Sequence, residues 1–213
     1  MIRIGIDYSL NSPSICIDNN GQIRFMSLFN TEGAEWNREK PLKKFFMHNA
    51  LSSFVSMLPY QRTAKDKKWT YAQEQSAKMN DAKMISDMIA HLLEPYFSET
   101  LKISLEGFAF ASNGASFIDL ILFNSFLRKE IIDRLGTDCL EIVAPTSAKK
   151  LAGKGNADKE FMIKAFMNNV LNDDSLSETE LWKYLQNTEL DFKNIKPLDD
   201  IVDSYFIMKA QTI

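Results

Sequence analysis

The sequence PLDDIVDSYFIM, residues 197–208, sets acidic residues at the start of an otherwise apolar segment. A helix that begins just after Pro197 places Asp200 and Asp203, three residues apart, on one face. Complementarity to the helix dipole explains Asp199 and Asp200 well, but it explains Asp203 less well. The segment therefore predicts a largely buried helix with paired carboxylates, and their purpose depends on which other acids the fold brings near them.

The first residues of the chain predict a strand that ends on an aspartate. Isoleucines alternate with other residues from Met1 up to Asp7, which is the period of a strand. Apolar runs over residues 14–18 and 23–29 flank the dipeptide Asn20-Gly21, a typical hairpin turn. We expect an antiparallel meander of three strands, with Asp7 at the end of the first.

Helical spacing of apolar residues predicts three long helices, over Pro41 to Leu58, Tyr71 to Leu93 and Phe117 to Leu135. A basic, apolar-poor connector over residues 61–68 separates the first two. The pattern of residues 177–180 resembles a capping box and predicts a short helix at about Leu181 to Leu185.

Two further strands, Leu101 to Glu106 and Leu140 to Val143, complete the predicted sheet. The order of elements is typical of an α/β domain with a mixed five-stranded sheet, in which the antiparallel strands 1–3 are joined by parallel strands 4–5 and flanked by helices. The 213 residues fit one domain, 1–213, with insertions at about 60–95 and 172–196.

Composition limits the class of protein. The net charge of -3 gives no global electrostatic case for nucleic-acid binding, which then has to depend on local basic patches. Cys16 and Cys139 form neither a CxxC motif nor a His-rich cluster, so structural zinc and a disulfide framework are not expected, and a reducing compartment is. No apolar run reaches the roughly 18 residues of a membrane span, and we expect a soluble, cytoplasmic protein.

Asp7 and Glu106 each end a strand, and we expect these two strands to be neighbours in the sheet. Their carboxylates then share one edge of the sheet, where Asp200 and Asp203 of the last helix complete a set of four acids. Each acid alone has an ordinary explanation, as a turn former, a solvent-facing strand end or a helix-start charge. Together they repel one another unless cations neutralise them.

Carboxylate oxygens favour hard divalent cations such as Mg²⁺ or Mn²⁺ over zinc. Two such ions, about 3.5–4 Å apart, stabilise the attacking and leaving oxygens of a phosphoryl displacement. The constellation therefore predicts a centre with two divalent ions that cleaves phosphodiesters.

The ordered set of segments resembles the RuvC family of Holliday junction resolvases, within the RNase H-like superfamily. The resemblance spans nearly the whole chain and depends on Gly5-Ile6-Asp7, Leu105-Glu106-Gly107-Phe108, the sequence GKGNADK at 153–159, and Asp200 with Asp203. It implies a crossover junction endodeoxyribonuclease of DNA recombination and repair, in which Asp7, Glu106, Asp200 and Asp203 bind Mg²⁺, or Mn²⁺ in its place, and act in catalysis.

The resemblance also implies branched DNA as partner and a homodimer that matches the two-fold symmetry of a four-way junction. Its candidate DNA contacts are Lys159, one of Lys149 or Lys150, and one of Phe108 or Phe110. Lys154 is a further candidate because it clusters in sequence with these lysines, and this basic group is either a DNA contact or a solvated face. The two insertions are longer than in bacterial members and resemble those of a phage or viral relative, which would act in the host-cell cytoplasm. A second basic group, Arg62, Lys65, Lys67 and Lys68, is either a DNA contact or a solvated face.

Three other functions stay open at the level of sequence. An RNase H-like nuclease acting on flaps, other branched DNA or RNA–DNA hybrids has the same metal site. An actin- or sugar-kinase-like ATPase also begins with a strand that ends on aspartate, but it has Gly-rich phosphate loops that this chain lacks. The last is a non-catalytic DNA-binding protein. His48 and His91 lie on amphipathic helices and are interpreted as structural or surface residues.

Overall fold

A mixed six-stranded sheet forms the centre of the protein. The structure, a computed structural model, describes residues 1–32, 54–98, 100–108, 114–192 and 195–211. The strands are β1 (Ile2–Asp7), β2 (Ser14–Asn19), β3 (Gln22–Asn30), β4 (Val55–Tyr60), β5 (Leu101–Glu106) and β6 (Leu140–Val143). Their spatial order is β4-β3-β2-β1-β5-β6.

The sheet confirms the predicted arrangement of antiparallel and parallel strands. β1, β2 and β3 form an antiparallel meander, with Asn20 and Gly21 at the turn between β2 and β3. β5 pairs in parallel with β1, and β6 pairs in parallel with β5. The predicted α/β architecture is therefore correct.

The predicted number of five strands is wrong, because β4 adds a sixth at the edge beside β3. Its residues Val55 to Leu58 were predicted as the end of a helix, since Val55 and Leu58 fit helical spacing. A short apolar run does not distinguish the two structures by its period. Pro59 is compatible with an edge strand, where its missing N–H costs no ladder bond. The rest of that predicted helix, residues 41–53, lies outside the described residues.

The described helices surround the sheet. They are α1 (Tyr71–Leu93), α2 (Ala115–Leu135), α3 (Pro145–Leu151), α4 (Lys159–Met167), α5 (Asp174–Ser177), α6 (Glu180–Gln186) and α7 (Leu198–Lys209), with short 3₁₀ turns at Glu94–Tyr96 and Thr137–Cys139. α1, α2 and α7 agree with the helices predicted from sequence. α6 is the short helix predicted after residues 177–180, and its cap is the Thr179 hydroxyl, which accepts from the Trp182 N–H. Among the described residues no helix is long and apolar enough to cross a membrane.

The described residues form two hydrophobic cores, one on each face of the sheet. On one face, α1 and α2 pack their buried residues, among them Ile85 and Phe123, against Ile4 and Ile6 of β1. On the other face, α7 packs with α3 and α4 around Phe166, Tyr205 and Phe206.

Helix α7 lies directly on β1 at Gly5. A Cβ atom at Gly5 would lie 2.2 Å from the backbone oxygen of Ser204 and 2.4 Å from the backbone nitrogen of Met208. Only glycine permits this approach, because any side chain would overlap the helix backbone. The close contact fixes the second half of α7 directly against β1.

Candidate active site

The ends of β1 and β5 bring Asp7 and Glu106 to the same edge of the sheet. The two strands are parallel neighbours, with Ile6 opposite Leu105, so the residues that follow end side by side. This is the adjacency that the sequence predicts for the two strand-end acids.

Helix α7 adds Asp200 and Asp203 to this edge. Asp200 is buried and Asp203 is partly buried, and both interact electrostatically with the strand-end acids. The structure therefore brings all four predicted acids together, from β1, β5 and α7.

Burial and mutual repulsion make these carboxyls hard to ionise. Burial raises the pKa of Asp7 well above its usual value, and Asp200, Glu106 and Asp203 raise it further. Burial likewise raises the pKa of Glu106 to about 7, which Lys149 partly counteracts. Burial, then Glu106 and Asp200, raises the pKa of Asp203 to about 7. When these carboxyls are ionised, the cluster has an excess of negative charge that a cation would relieve.

Asp200 is the most heavily bonded member of the cluster. The Lys196 ammonium donates to both of its carboxylate oxygens, at 2.8 Å each. The Ser9 hydroxyl donates to Oδ2 at 3.2 Å, and the Ser12 hydroxyl donates to the same oxygen. Burial nevertheless raises the pKa of Asp200, and Lys196 opposes the shift.

Lys196, Ser9 and Ser12 were not singled out in the sequence. Lys196 precedes Asp200 by four residues, a spacing that often pairs opposite charges, so a signal for it existed. Ser9 and Ser12 lie in the loop between β1 and β2, and no pattern in the sequence shows which way their hydroxyls point.

Asp199 pairs with a lysine. Its Oδ2 accepts from Lys159, and its Oδ1 is buried with no hydrogen-bond partner among the described residues. Asp199 is 2% exposed and lies in the first turn of α7. Since no side chain caps α7, Asp199 interacts with the helix start through its charge and not through a capping hydrogen bond. Lys159, predicted as a DNA contact, thus lies beside the acids, with its side chain 59% exposed.

The donor chemistry suits a hard divalent cation. No hydrogen bond or ion pair from a described residue reaches the carboxylates of Asp7, Glu106 and Asp203. As the side chains stand, however, no three acidic, histidine or cysteine groups of the described residues are arranged to hold a metal ion. Asp200 is turned towards Lys196 and the serines, so binding a cation requires some of these side chains to change rotamer.

A cleft with a volume of about 610 Å³ opens over this edge of the sheet. Asp203 is not among the described residues that line it, and its apolar wall comes from the β1–β2 loop and from α2. The lining residues are Asp7, Tyr8, Ser9, Leu10, Asn11, Glu106, Ser116, Phe117, Leu120, Lys196 and Asp200.

The other predicted DNA contacts have varied surroundings. The Phe108 ring packs edge-on against Phe117, with centroids 5.8 Å apart, and lies under the guanidinium of Arg128 at 4.8 Å. Lys154 lies over the Phe161 ring at 4.3 Å. Phe110 and His48 lie outside the described residues, and His91 bonds to Glu94 at the end of α1.

The second basic group is partly paired within the protein. Arg62 forms an ion pair with Asp81, and Lys65 forms one with Glu74. These contacts place the start of the 61–68 connector against α1.

The architecture matches a solved protein–DNA complex. The structure of Thermus thermophilus RuvC in complex with a Holliday junction substrate aligns over 99% of this chain and 92% of that one, with a TM-score of 0.50 and 12% identity. The chain has the RuvC fold. Another T. thermophilus RuvC structure aligns at a TM-score of 0.48 and 13% identity, over 99% of this chain and 94% of that one. The yeast mitochondrial Holliday junction resolvase Ydc2 aligns with a TM-score of 0.48 and 15% identity, over 97% of this chain and 75% of that one.

No family model and no curated protein sequence matches the chain. At 12% identity, the similarity to RuvC establishes the fold alone, which is a mixed sheet with helices on both faces.

Proposed function

We propose that the protein is a divalent-metal-dependent endodeoxyribonuclease that recognises DNA structure and resolves four-way junctions by paired nicking. One observation carries the proposal. Asp7, Glu106, Asp200 and Asp203 reach the same edge of a sheet with the RuvC fold and raise one another's pKa values. An acid cluster beside an open cleft is suited to holding cations against a phosphodiester.

The four carboxylates would hold Mg²⁺, with Mn²⁺ as a substitute. Bound there, the metal supplies a Lewis acid for the phosphate and a more acidic water. Ser9 and Ser12 hold Asp200 in place through their hydroxyls. Lys149 offsets part of the negative charge at Glu106 and Asp203, and the apolar wall of the cleft excludes water from one side of the bound strand.

The proposed substrate is a four-way junction, and the proposed active form is a homodimer. The solved complex with the RuvC fold contains a Holliday junction substrate, which supports branched DNA as the ligand of this chain. Two nicks related by two-fold symmetry are most simply made by two copies of one active site. The proposed contacts to the junction are Lys149, Lys150, Lys154, Lys159, and one of Phe108 or Phe110.

Asp7→Asn tests the assignment of the centre. Asp7 is central to the cluster, so loss of its charge should reduce cleavage of a four-way junction in Mg²⁺ by at least about a thousandfold. Junction binding, measured by fluorescence anisotropy in Ca²⁺ or without metal, should change less than about threefold. Nicking at the wild-type rate by this variant contradicts the assignment.

Substrate selectivity needs a separate comparison. The wild-type protein is offered a four-way junction, a flap, a linear duplex and an RNA–DNA hybrid of the same sequence. Paired nicks in the junction at a rate at least about tenfold above the others support a resolvase. Preferential cleavage of the hybrid or the flap assigns the same metal site to another RNase H-like activity, and binding without cleavage in any divalent metal assigns a non-catalytic DNA-binding protein.

A further inference from the structure

The Lys196 ammonium lies beside Asp200, within the cluster of acids. Its Nζ lies 2.8 Å from both Asp200 oxygens and 4.0 Å from Oδ2 of Asp199. The ammonium also interacts electrostatically with Asp7, and Lys196 lines the cleft beside Asp7, Glu106 and Asp200. It is therefore part of the acid cluster, and its amine is directed at the acids.

The surroundings hold this ammonium in place. The Lys196 side chain is 29% exposed, so it has lost much of its contact with water. An ammonium in such a position is tolerated because carboxylates pair with it. The bond to both oxygens of Asp200 also competes with any cation that approaches that carboxylate.

The charges around the centre leave room for few cations. Five carboxylates gather here if Asp199 is counted, and three lysines face them: Lys149 at Glu106 and Asp203, Lys159 at Asp199, and Lys196 at Asp200. When all of these groups are ionised, the five carboxylates outnumber the three ammonium groups by two, so the centre has a net charge of about -2. One divalent cation balances that excess, whereas two would leave the centre positive before DNA binds.

We propose that Lys196 supplies a fixed positive charge at Asp200, so that the metal-loaded centre holds one divalent cation together with the lysine ammonium in place of two divalent cations. This proposal rests on the proposed function for the presence of a metal centre. It changes the ion number, which the sequence predicts as two. Lys196 acts here as a positioning residue, because its charge acts through Asp200, to which it is bonded.

The experiment counts Mn²⁺ ions bound to the DNA-free protein. Free Mn²⁺ gives a sharp electron paramagnetic resonance signal that broadens on binding, so a titration gives the number and affinity of bound ions directly. Wild-type protein should bind one Mn²⁺ per chain. Lys196→Met removes the ammonium while keeping an unbranched apolar side chain, and it should bind a second Mn²⁺ or bind the first at least about tenfold more tightly, since a like charge a few ångströms away is lost.

Two further variants control the result. Lys83→Met removes an exposed lysine that also pairs with an aspartate four residues later, Asp87, and it should leave Mn²⁺ binding unchanged. Lys196→Arg keeps the charge and should bind Mn²⁺ as the wild type does. Circular dichroism and the unfolding temperature show whether each variant is folded. If both Lys196 variants are less stable than the wild type, the difference in Mn²⁺ binding between Lys196→Arg and Lys196→Met still separates the effect of charge from that of packing.

Two ions per wild-type chain, or unchanged binding in folded Lys196→Met, overturns the proposal. The outcome is independent of cleavage. If the protein binds one Mn²⁺ at a Lys196-dependent site but cuts no DNA, this inference holds and the proposed function is wrong. If it cuts junctions but binds two Mn²⁺ ions, the proposed function holds and this inference is wrong.

Discussion

Individual side chains decide the electrostatics of the centre. Asp7 and Glu106 were predictable from sequence, because each follows an alternating apolar strand and parallel neighbouring strands end together. Asp200 and Asp203 were predictable from their spacing on an apolar helix. The bonds of Ser9 and Ser12 to Asp200 were not, since they depend on a loop conformation that the sequence pattern does not specify. The bond of Lys196 had a signal in its spacing of four residues from Asp200.

The raised pKa of Asp203 predicts a pH-dependent stability difference. A carboxyl whose pKa is higher in the folded protein stabilises the fold below its unfolded pKa, and this contribution is lost as the pH rises to the folded pKa, here from about 4 to about 7. Without metal, Asp203→Asn should therefore equal the wild type in stability near pH 4 and exceed it by about 1–3 kcal/mol at pH 8.

Urea unfolding in EDTA at several pH values measures this difference. Asp138→Asn, an exposed aspartate beside β6, is the matched control and should show no such trend. Added Mg²⁺ should stabilise the wild type more than Asp203→Asn at pH 8. A constant difference between the two proteins across the pH range contradicts the coupling of Asp203 to the cluster.

At the scale of elements, the contact between α7 and β1 sets the geometry of the site. The apolar face of α7 covers β1 and β2, and its first turn therefore lies beside the end of β1. The sequence predicts both elements and their burial, but not the direct backbone approach at Gly5. β4 was predicted as the end of a helix because this edge strand has few buried residues, and its apolar residues therefore show no clear period of two.

Gly5→Ala should disrupt this contact. The added methyl group would overlap the backbone of Ser204 and Met208, which cannot move without displacing α7. We expect a loss of about 3 kcal/mol or more in the free energy of unfolding, together with loss of metal-dependent cleavage. Chemical denaturation and a junction cleavage assay measure the two effects.

Gly155→Ala is the control for the loss of a glycine. A Cβ at Gly155 would mainly meet the flexible side chain of Lys150, at 3.3 Å, so the cost should stay below about 1 kcal/mol. Equal stability of Gly5→Ala and Gly155→Ala would show that α7 does not need the close approach to β1.

At the scale of the whole molecule, a net charge of -3 has to be reconciled with the proposed binding of DNA. Part of the positive charge is concentrated in one region near the acid edge. This region consists of α3, α4 and the segment between them, and it contains Lys149, Lys150, Lys154 and Lys159. The proposed binding of DNA then depends on a local basic surface, and the affinity should fall more steeply with salt concentration than the net charge of the protein suggests.

The salt dependence of junction binding tests this surface. Each lysine that contacts a phosphate contributes close to one unit to the slope of log affinity against log salt concentration, so Lys154→Ala should lower the magnitude of the slope by about one. Lys183→Ala, on α6 beside Glu178 and Glu180, should leave the slope unchanged. Anisotropy titrations of a labelled junction at several salt concentrations give both slopes, and equal slopes for the two variants remove Lys154 from the interface.

The contact of α7 with β1 has a consequence during biosynthesis. Ser9 and Asp200, which bond to each other, are 191 residues apart in the chain. A growing polypeptide that has folded its sheet as far as β6 contains Asp7 and Glu106 but lacks Lys196, Asp200 and Asp203. The proposed centre is therefore completed only when α7 leaves the ribosome and docks on β1, and a prematurely terminated product without α7 would lack two of its four acids.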